Sequence, residues 1–381
     1  MIYRSFGATG LTLSQLGFGA MRLPLTKQYD PSAIDETKAA EMLYYAIEHG
    51  VNYVDTAWPY HREASEEFLG RVLRRRYREK VYLATKMPMW LIKSKEDRIK
   101  YFDEQRKRLQ SDKIDMYLLH SLGEKSWATT QKFNVLDFLE KMKAQGTIGH
   151  IGFSFHDKLT LFKEIIDSYP WTFCLIFLNY VDDEFQAGIQ GLEYAHKKGV
   201  TVMIMEPLRG GKLARNVPPE IIQIIAQTGR VQTPAEFALR WIFDRPEVNC
   251  VLSGMNTLDQ VRQNLAFAAN DHRGTLSARE KELYVQAKQI FKTRTKVSCT
   301  ECGYCITCPQ KIPIPFILNI YNDAYMFNAF EQSRWMYRVF VKPENRAENC
   351  TACGECEKKC PQNIQIARVL EEAHKILTDK M

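Results

Sequence analysis

No stretch of about 18 consecutive apolar residues occurs in the 381-residue chain, so no transmembrane helix is expected. The opening Met1-Ile-Tyr-Arg-Ser-Phe-Gly7 lacks the charged and apolar regions of a secretory signal, and a cytoplasmic protein is expected. Cysteine is nearly absent over most of the length: of ten, only Cys174 and Cys250 precede residue 299. A disulfide scaffold would not confine its cysteines to one end of a long chain, so that class is set aside. A wide basic surface is also missing. The net charge of +7 is modest for this size, and the densest basic run, Arg71–Arg78, has the look of a solvated helix end. Without exposed aromatics interleaved among the cations, no nucleic-acid partner is expected.

What is present is a regular alternation. Ile2–Phe6, a turn at Gly7–Gly10 and Leu11–Leu16 predict a β-hairpin. Strands are then expected at Leu16–Met21, Val51–Asp55, Lys80–Lys86, Met116–His120, Ile148–Ser154, Phe173–Asn179, Val200–Glu206 and Val248–Ser253, with helical patterns following them. Several strands are nearly continuous apolar runs, as parallel strands covered on both faces must be. Eight such units over roughly 250 residues predict an α/β fold of the (β/α)8 TIM-barrel type. A doubly wound open sheet is the alternative. It would want a Gly-x-Gly-x-x-Gly turn, and Gly17-Phe-Gly19-Ala-Met-Arg22 lacks the third glycine. The domains expected are a barrel over 1–290 and a small, mainly helical module over 291–381. In that module Thr293–Ser298 reads as a linker, Pro315–Phe340 as helical and Gln365–Leu377 as a closing helix.

Val51-Asn-Tyr-Val-Asp-Thr-Ala-Trp-Pro-Tyr60 passes from a β-branched, aromatic strand to an acid, a proline turn and a phenol. Two more strands end in ionisable groups: Lys86 in Leu83-Ala-Thr-Lys-Met87, and His120 in Tyr117-Leu-Leu-His120. A lone ammonium closing an apolar strand is costly to bury, and Asp55 would relieve that cost. The ammonium is expected to lower the pKa of a neighbouring phenol, which sits near 10 unperturbed. His120 could then donate to a carbonyl oxygen. Taken singly, each residue is more often a cap, a packed aromatic or a satisfied core group; together at strand ends they point to proton-transfer chemistry.

Val54-Asp-Thr-Ala-Trp-Pro-Tyr60, Ala84-Thr-Lys86 and Leu118-Leu-His120 resemble the Asp, Tyr, Lys, His tetrad of the aldo-keto reductases. Leu16-Gly-Phe-Gly-Ala-Met21, Ile151-Gly-Phe-Ser154, Glu206-Pro-Leu-Arg-Gly-Gly211 and Ser253-Gly254 through Asn264 extend the resemblance over roughly residues 1–275. It implies a TIM-type barrel, NADP or NAD as cofactor, and reduction of a small-molecule carbonyl or oxidation of an alcohol. Tyr60 would supply the proton, Asp55 and Lys86 would tune it, and His120 would orient the substrate. Ser154, Asn179, Glu206, Leu208, Gly210, Ser253, Gly254, Gln260 and Asn264 are the cofactor-binding positions it implies. The chain departs from the family pattern in several places. Phe155 follows Ser154 where an Asn is usual, Phe177 replaces a Gln, and Met205 stands where an aromatic commonly stacks on the nicotinamide. Gln260 replaces the usual Arg, and a Lys for the 2′-phosphate is missing. Little discrimination between NADH and NADPH, or a preference for NADH, is therefore expected.

The remaining eight cysteines form two runs. Cys350, Cys353, Cys356 and Cys360-Pro follow the C-x2-C-x2-C-x3-C-P spacing of bacterial-type [4Fe–4S] ferredoxins. Cys299, Cys302, Cys305 and Cys308-Pro are one residue shorter before the last thiol. Zinc also takes four thiolates, but its sites pair two C-x2-C halves across a loop. Two [4Fe–4S] clusters are the expectation, and barrel plus tail resembles the iron–sulfur branch of the aldo-keto reductases. In two-cluster ferredoxins the fourth cysteine of each run serves the other run's cluster. That rule would group Cys299, Cys302, Cys305 and Cys360, and separately Cys350, Cys353, Cys356 and Cys308. Cys174 and Cys250, in apolar strands, are expected to be inert core thiols.

The reading is an oxidoreductase coupling carbonyl or alcohol chemistry to one-electron carriers such as ferredoxin or flavodoxin. Its rival is a redox-sensing or electron-carrier protein whose barrel binds nicotinamide weakly. A flavin could mediate, but nothing in the sequence indicates one.

Overall fold

A computed structural model describes residues 1–27, 30–215, 217–299, 304–360 and 362–379. A hairpin of β1 (Tyr3–Ser5) and β2 (Thr12–Ser14) precedes eight parallel strands. These are β3 (Leu16–Gly19), β4 (Tyr53–Asp55), β5 (Tyr82–Met87), β6 (Ile114–Leu122), β7 (Ile148–Phe155), β8 (Phe173–Phe177), β9 (Thr201–Met205) and β10 (Val248–Ser253). β10 pairs with β3, Val251 opposite Leu16, and closes the sheet into a barrel. The open-sheet alternative is thereby overturned.

The connections carry α1 (Glu36–Glu48), α2 (Ala64–Val72), α3 (Lys95–Leu109), α4 (Glu124–Lys132), α5 (Val135–Ala144), α6 (Leu159–Ser168), α7 (Gly188–Lys197), α8 (Pro219–Gln227), α9 (Pro234–Phe243) and α10 (Leu258–Phe267). Of these, α4 and α8 are absent from the sequence-based reading. Start signals are local. Asp35 accepts the Lys38 N–H at α1, and Ser94 with Asp97 forms a capping box at α3. The arginine run begins in the last turn of α2 and is paired: Arg71 with Glu36, Arg76 with Glu48 and Arg78 with Asp115.

The barrel interior is a packed core. Phe6 and Leu13 from the hairpin join Tyr53, Ala84, Met116, Leu118, Phe173, Leu175, Met203, Cys250 and Leu252. Phe6 meets the Phe173 ring at 5.4 Å, so the hairpin seals the end away from the carboxyl termini of the strands. Two strand glycines make room for this filling. A Cβ on Gly17 would fall 2.7 Å from Leu252 Cδ2, and one on Gly152 2.6 Å from the Phe173 ring.

The chain divides into two compact units, Met1–Gly210 with Glu236–Leu276, and Gly211–Ala235 with Ser277–Met381. The second holds α8, α11 (Ala278–Thr293), α12 (Ile314–Met326), α13 (Phe330–Phe340) and α14 (Ile366–Thr378). The stretch expected to be helical, Pro315–Phe340, forms two helices, α12 and α13, with Asn328 left-handed at φ 49° between them. Ile366, Leu370, Ala373 and Leu377 bury one face of α14 against Ile317, Leu318, Tyr321 and Tyr337. Asn322 on α12 accepts the N–H groups of Lys296 and Val297 and so anchors the lead-in to the first cysteine run. Among the described residues no helix is long and apolar enough to cross a membrane.

Candidate active site and cysteine cavity

β4 and β5 lie side by side with Asp55 opposite Ala84, which brings Lys86, two residues on, past the carboxyl end of β4. The Lys86 ammonium is 1% exposed and donates to Asp55 Oδ1 at 2.6 Å, to the Thr56 carbonyl at 2.8 Å and to the Tyr60 hydroxyl at 3.3 Å. Tyr60 reaches it because the chain after Pro59 turns through three left-handed residues, His61, Arg62 and Glu63, before α2. His61 fixes that turn: one ring nitrogen accepts the Leu23 N–H at 3.1 Å, and the other meets the Pro31 carbonyl at 2.7 Å. The His120 ring lies edge-on to Tyr60 at 6.2 Å and 5.1 Å from the exposed Trp90 indole.

Charge and burial compete here. Burial would discharge Lys86, but Asp55 and Tyr60 outweigh it and hold its pKa above the usual value. Burial pushes the Asp55 carboxyl up against the pull of Lys86. These directions differ within one pair; the 2.6 Å contact, with Thr56 as a second acceptor, favours an ionised ammonium. For Tyr60 the outcome corrects the expectation of a lowered phenol. Burial raises its pKa, and the opposing field of Lys86 only reduces the rise. His120 is pushed well below its usual value by burial, then by Lys86 and His156. It is a neutral imidazole, and its Nδ1 has no hydrogen-bond partner among the described residues.

Several of the cofactor positions read from the sequence are engaged in local bonds, and the Asn179 amide donates to the Glu206 carbonyl at 3.4 Å. Ser154 Oγ accepts the N–H of left-handed Ser121 at 2.8 Å, which leaves its hydroxyl proton for another acceptor. Phe155 turns away from the strand ends and packs on Phe162 at 5.0 Å. Phe177 packs on Phe185, and the Asn179 amide oxygen holds the N–H groups of Val181 and Asp182 at 3.0 Å. Leu208 is half-buried. Asn264 donates to Ser253 Oγ at 3.0 Å, and Gln260 accepts the Asn256 N–H at 2.9 Å. Glu206, left-handed at φ 55°, pairs with Arg22 at 3.1 Å.

Two residues on this face escaped the sequence reading. Arg22 crosses the glycine loops: a Cβ on Gly210 would lie 3.0 Å from its guanidinium, and one on Gly254 3.1 Å from its stem. His156 follows Phe155. Its ring reaches solvent, yet the protein packed around it lowers its pKa, within the fields of Glu206 and Lys86. Arg22 follows a strand-end Gly-Ala-Met and His156 a β7 terminus, so position at a strand end was the signal available for both.

In the second unit, Cys308 of the first run lines the same cavity as Cys350, Cys353 and Cys356 of the second, with Ile314, Ala367 and Leu370 behind them. The Cys356 thiol is pushed up by burial, then by Glu357, Cys350 and Cys308. Among the described residues no three of His, Cys, Asp or Glu converge on a point that one ion would fill; the four thiols line walls. Cys299, Cys305 and Cys360 pack against the same apolar core, and Lys359 donates to Thr307 Oγ1 at 2.9 Å, joining the two runs. Cys302 and Pro361 lie outside the described residues. Cys174 and Cys250 are fully buried, and burial pushes both thiols far up, so neither is reactive.

An ammonium held between a carboxylate and a phenol at the mouth of a closed parallel barrel defines an α/β-barrel oxidoreductase. The model of the aldo/keto reductase family matches residues 15–273, and the chain belongs to that family. A 4Fe-4S dicluster domain matches residues 298–364. L-galactose dehydrogenase of Arabidopsis thaliana is 29% identical over 286 residues, 69% of this chain and 86% of that protein. An uncharacterized oxidoreductase of Bacillus subtilis, YqkF, is 26% identical, covering 71% of this chain and 92% of its own length. The holo form of aldo-keto reductase AKR11C1 from Bacillus halodurans superposes with a TM-score of 0.62 at 24% identity, over 75% of this chain and 96% of that one, a likeness of fold.

Proposed function

We propose that the protein reduces a small-molecule carbonyl, or oxidises the corresponding alcohol, at the Asp55, Tyr60, Lys86, His120 centre of a cytoplasmic oxidoreductase. The observation that carries this reading is the buried Lys86 ammonium shared by Asp55 and Tyr60. NAD(H) or NADP(H), when bound, supplies or takes up the hydride. The residues present suit the phosphate end of such a nucleotide: Arg22 brings a guanidinium, now paired with Glu206, against Gly210 and Gly254, which lack the side chains that would crowd it. Ser253, Gln260 and Asn264 brace the adjoining loop.

Tyr60 keeps its proton at neutral pH because burial raises its pKa, and its hydroxyl gives that proton to the substrate oxygen. Lys86 faces the developing phenolate and stabilises it, so the donor is strong only while the oxygen is accepting. Asp55 keeps the ammonium charged. Neutral His120 donates to the carbonyl oxygen and orients it, while Trp90 flanks the entrance.

In the same reading the domain boundary falls near residue 290, and residues 291–381 hold two [4Fe–4S] clusters that supply one-electron transfer when bound. Cys308, Cys350, Cys353 and Cys356 would ligate one, a set supported by their shared cavity. Cys299, Cys302, Cys305 and Cys360 would ligate the other. A ferredoxin- or flavodoxin-type carrier is the partner this arrangement calls for. Anaerobic titration of the cluster-loaded protein with NADH and NADPH tests the coupling: binding followed by bleaching of the cluster absorbance is expected. Nucleotide binding with clusters that never accept electrons would restrict them to a structural role.

A second reading, a redox sensor or electron carrier with weak nicotinamide binding, draws on Phe155 turning away and on the bonded Asn179 amide. A dissociation constant for both nucleotides weaker than about 1 mM would favour it.

A further inference from the structure

Behind Lys86 lies a second buried carboxyl that the proton transfer above does not use. Glu66, in the first turn of α2, is 0% exposed. Its Oε1 accepts the Thr85 hydroxyl and the Gln105 amide, both at 2.6 Å. Gln105 also donates to the Lys86 carbonyl at 3.0 Å and accepts the Tyr117 hydroxyl at 2.6 Å. One web of bonds therefore joins α2, α3, β5 and β6 at the residue that carries the ammonium. Glu66 Oε2 makes no hydrogen bond to a described residue and faces Arg108 at 3.7 Å. Arg108 in turn stacks 3.7 Å over the Trp58 indole, within the Asp55–Tyr60 loop.

We propose that Glu66 is a positioning residue for the Lys86 ammonium, holding the strand end from which Lys86 reaches Asp55 and Tyr60 and adding its own charge to the field at the Tyr60 hydroxyl. The inference rests on the tetrad reading given above. Burial raises the Glu66 carboxyl to about 7 against the pull of Thr85, Gln105, Arg108 and Lys86, so its charge changes in the working range. The charged or titratable groups facing it are Arg108 from α3, Lys86 from β5 and Tyr117 from β6. Asp103 acts on Tyr117, and Glu63 and Glu104 bind the far side of Arg108. An ionised Glu66 opposes formation of the Tyr60 phenolate and favours the Lys86 ammonium.

The sign is testable. Glu66→Gln keeps shape and an acceptor but loses the charge. The basic limb of kcat/KM for carbonyl reduction should move to lower pH by about half to one unit. The dissociation constant for NADH, read by fluorescence, should stay unchanged. Glu66→Asp keeps the charge but cannot reach Thr85 and Gln105. It should leave the limb in place and lower kcat about tenfold with KM unchanged. A parental pH profile in Glu66→Gln overturns the electrostatic part, and a parental kcat in Glu66→Asp overturns the positioning part. If Glu66→Gln fails to fold, the aspartate variant still decides the positioning part. Tyr60→Phe is run beside them: if it remains active the tetrad reading itself is at fault, whereas an inactive Tyr60→Phe with unaffected Glu66 variants removes only this inference.

Discussion

Cys308 and Cys356, forty-eight residues apart in the chain, line one cavity, and Cys308 contributes to the electrostatic surroundings of the Cys356 thiol. Each belongs to a different cysteine run. The crossed grouping proposed above would follow the way two-cluster ferredoxins exchange their fourth ligands.

Removing Cys308 should therefore damage the cluster of the second run, and removing Cys360 that of the first. Iron content, with EPR of the singly reduced Cys308→Ala and Cys360→Ala proteins, separates the two signals. If Cys308→Ala and Cys299→Ala perturb the same signal, each run closes on itself.

Tyr60→Phe should cut carbonyl reduction by orders of magnitude while leaving nucleotide affinity within about twofold, since the hydroxyl acts only in proton transfer. Lys86→Met should do the same and also move the basic limb to higher pH, because the field opposing the raised Tyr60 pKa is gone. His120 is already neutral in the folded protein, so His120→Gln should lower kcat without moving either limb between about pH 6 and 8. Full activity in Tyr60→Phe would falsify the assignment.

The Arg22 side chain lies against Gly210 and Gly254, and Gln260 is engaged with the Asn256 N–H. Arg22→Gln should weaken NADH and NADPH alike, by about ten- to a hundredfold in dissociation constant, without changing their ratio. The parental ratio should stay below about a hundredfold, roughly 2.7 kcal/mol. A larger preference for NADPH, or one abolished by Arg22→Gln, would place the 2′-phosphate on Arg22.

Glu66 also gives the fold a pH signature. Its folded pKa of about 7 lies above the ordinary 4.5, so the folded protein holds this proton over a window where the unfolded chain has released it. The contribution is full below about pH 4.5 and is lost as pH rises to about 7, amounting to about 3 kcal/mol. Glu66→Gln lacks the titration. Its unfolding free energy relative to the parent should therefore rise between pH 5 and pH 8, as measured by urea unfolding. A difference that is flat with pH would mean that Glu66 does not titrate in that window.

Much of this was legible in the chain because it is local. The period-two and helical patterns, the proline turn after Asp55 and the thiol spacing are covalent facts. They carry the barrel, the strand-end tetrad and the cysteine runs, including Asp55, Lys86 and His120 on successive strands. The tertiary structure decided what spacing cannot encode. Phe155 and His156 are neighbours, yet only packing settles that the phenyl faces Phe162 while the imidazole enters the field of Lys86. Arg22 meets Glu206 across 184 residues, and Cys308 lines one cavity with cysteines of the second run, because the fold makes them adjacent. The sign of the Tyr60 shift likewise had to wait for burial, since a charge pair and a desolvation cost oppose each other and only the packed site reveals which is larger.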